Sequence, residues 1–347
     1  MKKEWLIVCL GMIYAGIVVA QDSEDPPSLS YSFFGMGQER PFYSESLSNF
    51  GGQSFKSEFE SSGLIQNSGG YTQISSKWGF EIITSSTLLP EETEETWEFT
   101  GFGVVQTDNT TLSQNTLTVN GVHFPFSDGQ KLVFGIRYQN IAFSRFNFDS
   151  TDNTDALNDA LLAPGNDPEY DRLLAIVEAY VADTNNDPEN GIPDPDNANA
   201  ILVDDQGRLI TSVAELKAAK GLDPSTQQGV IFEDASTIAV MAGYAYDSYF
   251  DHADEGWRWR AGAHIGLPLY LSVLNTNNNL TLTETFPSGY DITLYGGGGY
   301  QFSKEIGLLL LVEYIYSERG KLQKENVFLP DNEFSSVNTL LQVYWAF

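Results

Sequence analysis

The sequence is poor in cysteine, in histidine and in positive charge. Cys9 is the single cysteine among 347 residues. A disulfide framework is therefore excluded, and so is a cysteine-rich metal site. Three histidines, His123, His252 and His264, leave little material for a histidine-built catalytic or metal centre. Lysine and arginine total 18 against 47 acidic residues, a net charge of −29. Nucleic-acid binding needs a basic footprint, so that class of partner is excluded. Long apolar runs are also missing after residue 20, and a spanning helix needs ~20 such residues.

The one apolar run is at the front. Met1-Lys2-Lys3-Glu4 precedes an apolar stretch from Trp5 to Val19, with Val18 and Ala20 at −3 and −1 of a cut before Gln21. This pattern predicts a secretory signal peptide over residues 1–20. The alternative, an uncleaved anchor, has a run short for a bilayer. Val8 before Cys9 is not small, which argues against lipid attachment. Removal of Lys2, Lys3 and Glu4 leaves 16 basic and 46 acidic residues, so the exported chain is still strongly acidic.

What is present is alternation. The chain closes on Ser336-Val337-Asn338-Thr339-Leu340-Leu341-Gln342-Val343-Tyr344-Trp345-Ala346-Phe347. Val337, Thr339, Leu341, Val343, Trp345 and Phe347 share one face of an extended strand; Asn338, Leu340, Gln342, Tyr344 and Ala346 share the other. Trp257 to Leu267 opposes Arg258, Arg260, Gly262, His264 and Gly266 in the same way. Leu132, Phe134, Ile136 and Tyr138 oppose Arg137 and Gln139. Ile306 to Tyr316 opposes Glu313, and Tyr290 to Phe302 opposes Asp291, Thr293, Tyr295 and Gln301. A sandwich strand alternates too. Here aromatic residues crowd the ends of the apolar faces, where a membrane barrel carries its girdles.

An ungapped internal repeat aligns Gly121–Tyr138 with Gly297–Tyr314, each a strand, a short turn at Ser127 or Ser303, and a strand. Gly70–Phe80 is a weaker third copy. With these turns on one side, the long segments 149–233, 271–289 and 319–334 all fall on the other, as in outer-membrane barrels.

Signal peptide, alternating strands and a terminal aromatic strand resemble those of Gram-negative outer-membrane β-barrel proteins. The resemblance implies an all-β transmembrane antiparallel barrel in the cell outer membrane, in contact with its lipid. It also implies that Tyr344, Trp345 and Phe347 are read by the barrel-assembly machinery. Tyr31–Gly37 is faintly similar to the start of FadL-like hydrophobic-compound channels. Ten to twelve strands are expected. Twelve is favoured, with a front hairpin at 28–36 and 41–48; an even count is the bacterial rule. Thr96–Gln106 breaks the parity unless it stands above the membrane as a loop hairpin.

The expected organisation is a signal peptide (1–20), a first barrel portion (21–148), an acidic insertion (149–233) and a second barrel portion (234–347). In the insertion Asp167-Pro168 starts a helix to Ala182, with Leu173, Leu174, Val177, Tyr180 and Val181 on one side. Ser212 and Glu215 make a capping box for a helix that stops at Gly221. Val203–Leu209 reads as a hairpin. The insertion is an extracellular cap or a plug. Asp183, Asn185, Asp187 and Asp194 have the spacing of a calcium loop, but Pro188 stands where such a loop needs glycine. Calcium is the one cofactor considered, against a plain Asn/Asp/Pro loop.

The inward faces place Arg137, Arg258, Arg260, His264, Tyr295, Glu313, Gln342 and Tyr344 in the lumen. They would form either a polar eyelet or a lattice that braces a closed barrel. The first reading is a porin-like passive channel for small solutes. The alternative is a closed-lumen structural or adhesive surface barrel whose acidic insertion binds a partner. No local motif supplies a nucleophile for His264, and Gly296–Gly299 lacks the Lys-Ser/Thr of a phosphate loop, so an enzyme is not expected.

Overall fold

The computed structural model describes residues 30–50, 53–126, 129–183, 186, 191–204, 207–221, 229–248, 255–276, 280–324 and 327–346. The predicted signal peptide, Asn185, Asp187, His252 and Phe347 lie outside the described residues.

Extended segments dominate. In chain order they are β1 (Ser30–Phe50), β2 (Gln53–Glu60), β3 (Gly63–Ser75), β4 (Trp78–Pro90), β5 (Glu92–Phe99), β6 (Gly103–His123) and β7 (Gln130–Ser150). After the insertion come β10 (Ile231–Asp247), β11 (Gly256–Asn275), β12 (Leu280–Thr285), β13 (Gly289–Gln301), β14 (Ile306–Arg319), β15 (Leu322–Lys324), β16 (Val327–Leu329) and β17 (Asp331–Ala346). The insertion holds α1 (Thr154–Leu161), α2 (Pro168–Ala182), β8 (Pro193–Asp194), β9 (Asn197–Ile201) and α3 (Val213–Lys220).

Antiparallel pairing runs β1, β3, β4, β6, β7, β10, β11, β13, β14, β17 and back to β1. The ring closes with ten wall strands, the lower end of the expected range. The expected front hairpin is instead one strand, β1. Gln38-Glu39-Arg40-Pro41 looks like a turn in sequence. Proline is tolerated here because β1 changes partner at this point, from β3 (Glu39↔Gly63) to β2 (Phe42↔Glu60). β2 continues into β3 across Ser61-Ser62, and β4 into β5 across Glu91. Two long strands thus span wall and rim, and 53–60 is the rim half of one of them rather than a membrane strand of its own. Thr96–Gln106 stands in a rim hairpin: β5 and β6 pair from Glu92↔Thr111 to Phe99↔Gly103.

Short turns lie at one rim, with Ser30 and Ala346 beside them. The insertion and the other long loops lie at the opposite rim. Among the described residues no helix is long and apolar enough to cross a membrane; the crossing is made by strands. The outer surface carries an apolar belt including Phe34, Ile136, Val240, Ile265, Leu310 and Leu341. Aromatic residues bound it. Trp78, Trp257, Tyr300, Phe302 and Trp345 stand at the terminal rim, where Trp257 meets Tyr300 edge-on at 5.7 Å. Tyr138, Tyr270, Tyr290, Tyr314 and Tyr316 bound the other side, with Tyr290 and Tyr316 5.7 Å apart. In water such a surface would be a large aggregation liability; in lipid it is the matched solvent. The protein is a membrane-spanning β-barrel.

The insertion folds around its own core of Leu162, Tyr170, Leu173, Val177, Ile192, Leu202, Ile210 and Leu216. The Asp167 carboxylate accepts from the Glu169 and Tyr170 amides and starts α2. Leu174 and Tyr180 flank this core as expected, whereas Val181 is exposed. Ser212 Oγ accepts from the Glu215 amide at 3.2 Å, while the Glu215 carboxylate accepts from the Thr211 amide and hydroxyl. Val203 bridges Leu209 as the expected hairpin. Helix α1 was not foreseen. Its Leu157, fully buried, packs against Phe55, Phe99 and Val105 on the rim. The Lys217–Asp159 ion pair ties α3 to α1. The insertion is thereby tied to the extended wall at the rim through α1.

Candidate functional site in the barrel lumen

Inward-facing residues are set by strand parity alone: each even step on one strand returns to the lumen. Arg137, Arg258, Arg260, His264, Gln342 and Tyr344 are buried there, and Tyr295 and Glu313 line the same space. Glycines make the room. Tyr295 lies over Gly262, its register partner, where a Cβ would stand 2.4 Å from the ring. Tyr344 lies over Gly307 in the same manner, at 2.8 Å.

From the terminal rim upward, the first layer is aromatic and aliphatic. Tyr31, Phe33, Ile65, Tyr71, Val122, Leu309, Leu311, Leu340 and Tyr344 form one cluster drawn from five strands. Tyr31 and Tyr71 stack at 5.7 Å. Beside them Glu81 joins Arg260 (2.8 Å) and Lys131 (3.5 Å), and Arg260 reaches Asp247 at 3.9 Å. Arg258 lines a cavity of about 20 Å³ with Tyr31, Asp247 and Tyr344. A second cavity of about 40 Å³ is lined by Arg137, Arg260, His264, Thr293, Tyr295 and Glu313, among others.

Arg137 and Glu313, equivalent in the internal repeat, do share that cavity, but they form no ion pair within 4 Å. Glu313 accepts from Asn338 at 3.1 Å, and Arg137 Nε donates to Thr118 at 3.4 Å. Gln342 donates to Asn67 (2.7 Å), which donates to Ser85 (2.7 Å). Arg319 holds Asp291 at 2.7 Å. His264 stands edge-on to Tyr295, with ring centres 5.5 Å apart.

A second apolar cluster, absent from the sequence reading, lies toward the rim that carries the insertion. Tyr43, Phe59, Leu112, Ile141, Phe143, Ile315 and Phe334 meet from six strands. Above the upper aromatic girdle, outside the membrane-spanning band, a charged knot covers it. Arg145 donates to Glu95 through Nε (2.7 Å) and Nη2 (2.9 Å) and lies 3.4 Å from Glu45. Its guanidinium stacks on Phe143 at 4.4 Å and Trp97 at 5.4 Å. Ser57 donates to Glu95, and Trp97 Nε1 donates to Asp108 at 2.8 Å. Asn275 donates to Glu233 at 2.8 Å. Burial, and then the Glu95 carboxylate opposite, push Asp108 up to about 8. Burial and then Glu45 push Glu233 up to about 7. Glu45 and Glu95 hold Arg145 well above its usual range although burial alone would lower it.

Of the assembly-signal residues, Tyr344 faces the lumen and Trp345 the lower girdle. Asp183 and Asp194 of the expected calcium loop are described. Asp194 accepts from the Asp196 amide at 2.9 Å, and among the described residues no group of three or more His, Cys, Asp or Glu gathers as a metal site. The loop's fit to calcium thus rests on its spacing.

No protein-family profile and no curated protein matches the chain. Solved structures do. The outer membrane protease OmpT from Escherichia coli aligns over 94% of this chain and 99% of its own, with 8% identity and a TM-score of 0.52. The translocator domain of autotransporter NalP from Neisseria meningitidis aligns over 99% and 95%, with 9% identity and a TM-score of 0.30. The outer membrane protein OprG from Pseudomonas aeruginosa aligns over 94% and 99%, with 8% identity and a TM-score of 0.29. At 8% identity the likeness to OmpT is one of fold: the chain has the architecture of a Gram-negative outer-membrane β-barrel.

Proposed function

We propose that this outer-membrane barrel is a closed-lumen anchor that presents its acidic cap at the cell surface. The observation that carries this reading is the double stopper. Two apolar clusters cross the lumen, one at each end, with a charged and hydrogen-bonded lattice between them. The cavities left around Arg258 and Arg137 measure about 20 and 40 Å³, room for a few waters rather than a path for solutes. Residues 151–230 carry 16 acidic against 4 basic side chains, so a partner of the cap would present a basic surface.

Planar-bilayer recording of the refolded protein, with and without residues 151–230, tests this. The expected result is no steady current from either. Steady current from the full chain would overturn the closed lumen in favour of a porin-like channel. Current only after deletion would make the insertion the plug.

A further inference from the structure

The insertion holds a small sheet built from 191–194, 201–204 and 208–211. Pro193 pairs with Ile201, and Val203 bridges Leu209. The Leu202 amide donates to the Ile192 carbonyl at 2.7 Å, and the Ile210 amide donates to the Leu202 carbonyl at 3.0 Å. Alternation divides the side chains between two faces. Ile192, Leu202 and Ile210 enter the insertion's core. Ile201, Val203 and Leu209 turn the other way and stand 41%, 46% and 40% exposed, with exposed Pro193 beside Ile201. A sheet with one buried face ordinarily carries polar residues on the other. Here both faces are apolar. Ile201 is packed down over Gly191, where a Cβ would stand 2.9 Å from its methyl group.

Charge selects what can cover this face. Residues 151–230 carry 16 acidic against 4 basic side chains, an excess of 12. Three of the four cations are spent inside the insertion: Arg172 on Asp196, Arg208 on Asp204 and Lys217 on Asp159. A second copy would bring the same negative excess, and an anionic lipid surface would be repelled in the same way. An occupant needs apolar side chains for the face and cations for its surroundings. We propose that the face formed by Ile201, Val203 and Leu209 is the docking surface for a cationic polypeptide segment, whose apolar side chains cover these three residues while its lysines or arginines meet the surplus carboxylates. This rests on reading the cap as the presented binding element; a conducting lumen would leave peptide binding unchanged, so the two tests fail separately.

The test uses the full chain in phosphatidylcholine nanodiscs, with empty nanodiscs as the blank. The probe is a short fluorescent peptide that alternates lysine and leucine, and anisotropy reads its binding. Val203→Thr with Leu209→Thr keeps residues favoured in strands and removes most of the apolar face. That double variant should bind the peptide about tenfold more weakly or worse, with an unchanged thermal midpoint. A peptide of equal charge that alternates lysine and serine should bind the unaltered protein as weakly. If the double variant fails to fold, hydrogen exchange on the unaltered protein decides: the lysine–leucine peptide should protect the amides of 201–204 and 208–211. Equal affinity of the variant and the unaltered protein overturns the proposal. So does equal affinity for the two peptides, which would mean charge attraction alone, or protection confined to other segments. A dimer seen by sedimentation without peptide, and lost in the double variant, would assign the face to a second copy instead.

Discussion

Arg145 and Glu95 form a two-point ion pair between strands that do not touch each other; β6 lies between β5 and β7. The pair therefore ties the rim hairpin to the main wall. Removing the guanidinium leaves Glu95 and Glu45 buried without their partner. Arg145→Ala is expected to destabilise the folded barrel by about 3–5 kcal/mol. Arg172→Ala, which breaks the exposed pair with Asp196 on the cap, should leave stability nearly unchanged, because solvent screens that pair. Denaturant unfolding of the refolded proteins in lipid checks both.

Rim stability should fall as pH rises. Asp108 and Glu233 bind protons more tightly in the folded protein, at about 8 and about 7, than in an unfolded chain, at ~4. Their stabilising contribution is complete below the unfolded values and is lost as pH climbs through the folded ones. The thermal midpoint should therefore drop between about pH 4 and about pH 8. Asp108→Asn should flatten that slope while its amide oxygen still accepts from Trp97. A midpoint that climbs over this range would contradict the assignment.

The cap hangs on Leu157. Its side chain is fully buried against Phe55, Phe99 and Val105. Leu157→Ala should cost about 2–5 kcal/mol of docking energy and leave the cap's own core intact. Limited proteolysis should then cut near residues 151–153 faster, with the barrel fragment remaining folded.

Leu341 lies outward, midway between Val337 and Trp345, and so near the middle of the apolar belt. Leu341→Arg should cost about 2–4 kcal/mol in lipid. Urea titration in vesicles measures it. A cost near zero would place β17 outside the bilayer.

The alternation made the wall legible because each lipid-facing side chain must be apolar, and parity then fixes its neighbours. Parity assigns Arg137, Arg258, Arg260, His264 and Gln342 to the inward face, where they are buried. What parity cannot reveal is which inward residues meet across the lumen. The apolar stoppers are built from Phe59, Phe143, Phe334 and Leu309, far apart in sequence, and each reads locally as an ordinary strand residue. Where a strand ends was equally hidden. Pro41 and Ser61-Ser62 look like turns, yet they are points where a continuous wall changes partner. Helix α1, only eight residues long, escaped although Asn153 stands at its N-cap and Asp155 in its first turn.

The ring is sealed by β1 against β17, from Tyr31↔Ala346 to Ser46↔Asp331. Nearly the whole chain separates these partners, so the seam has the highest contact order in the molecule. Its loop-closure entropy must be overcome before any of its hydrogen bonds form. The cap core, by contrast, joins residues that lie within 162–216. Two clocks follow from that difference. The cap can fold early on local contacts, while the barrel stays an open sheet until β17 reaches β1.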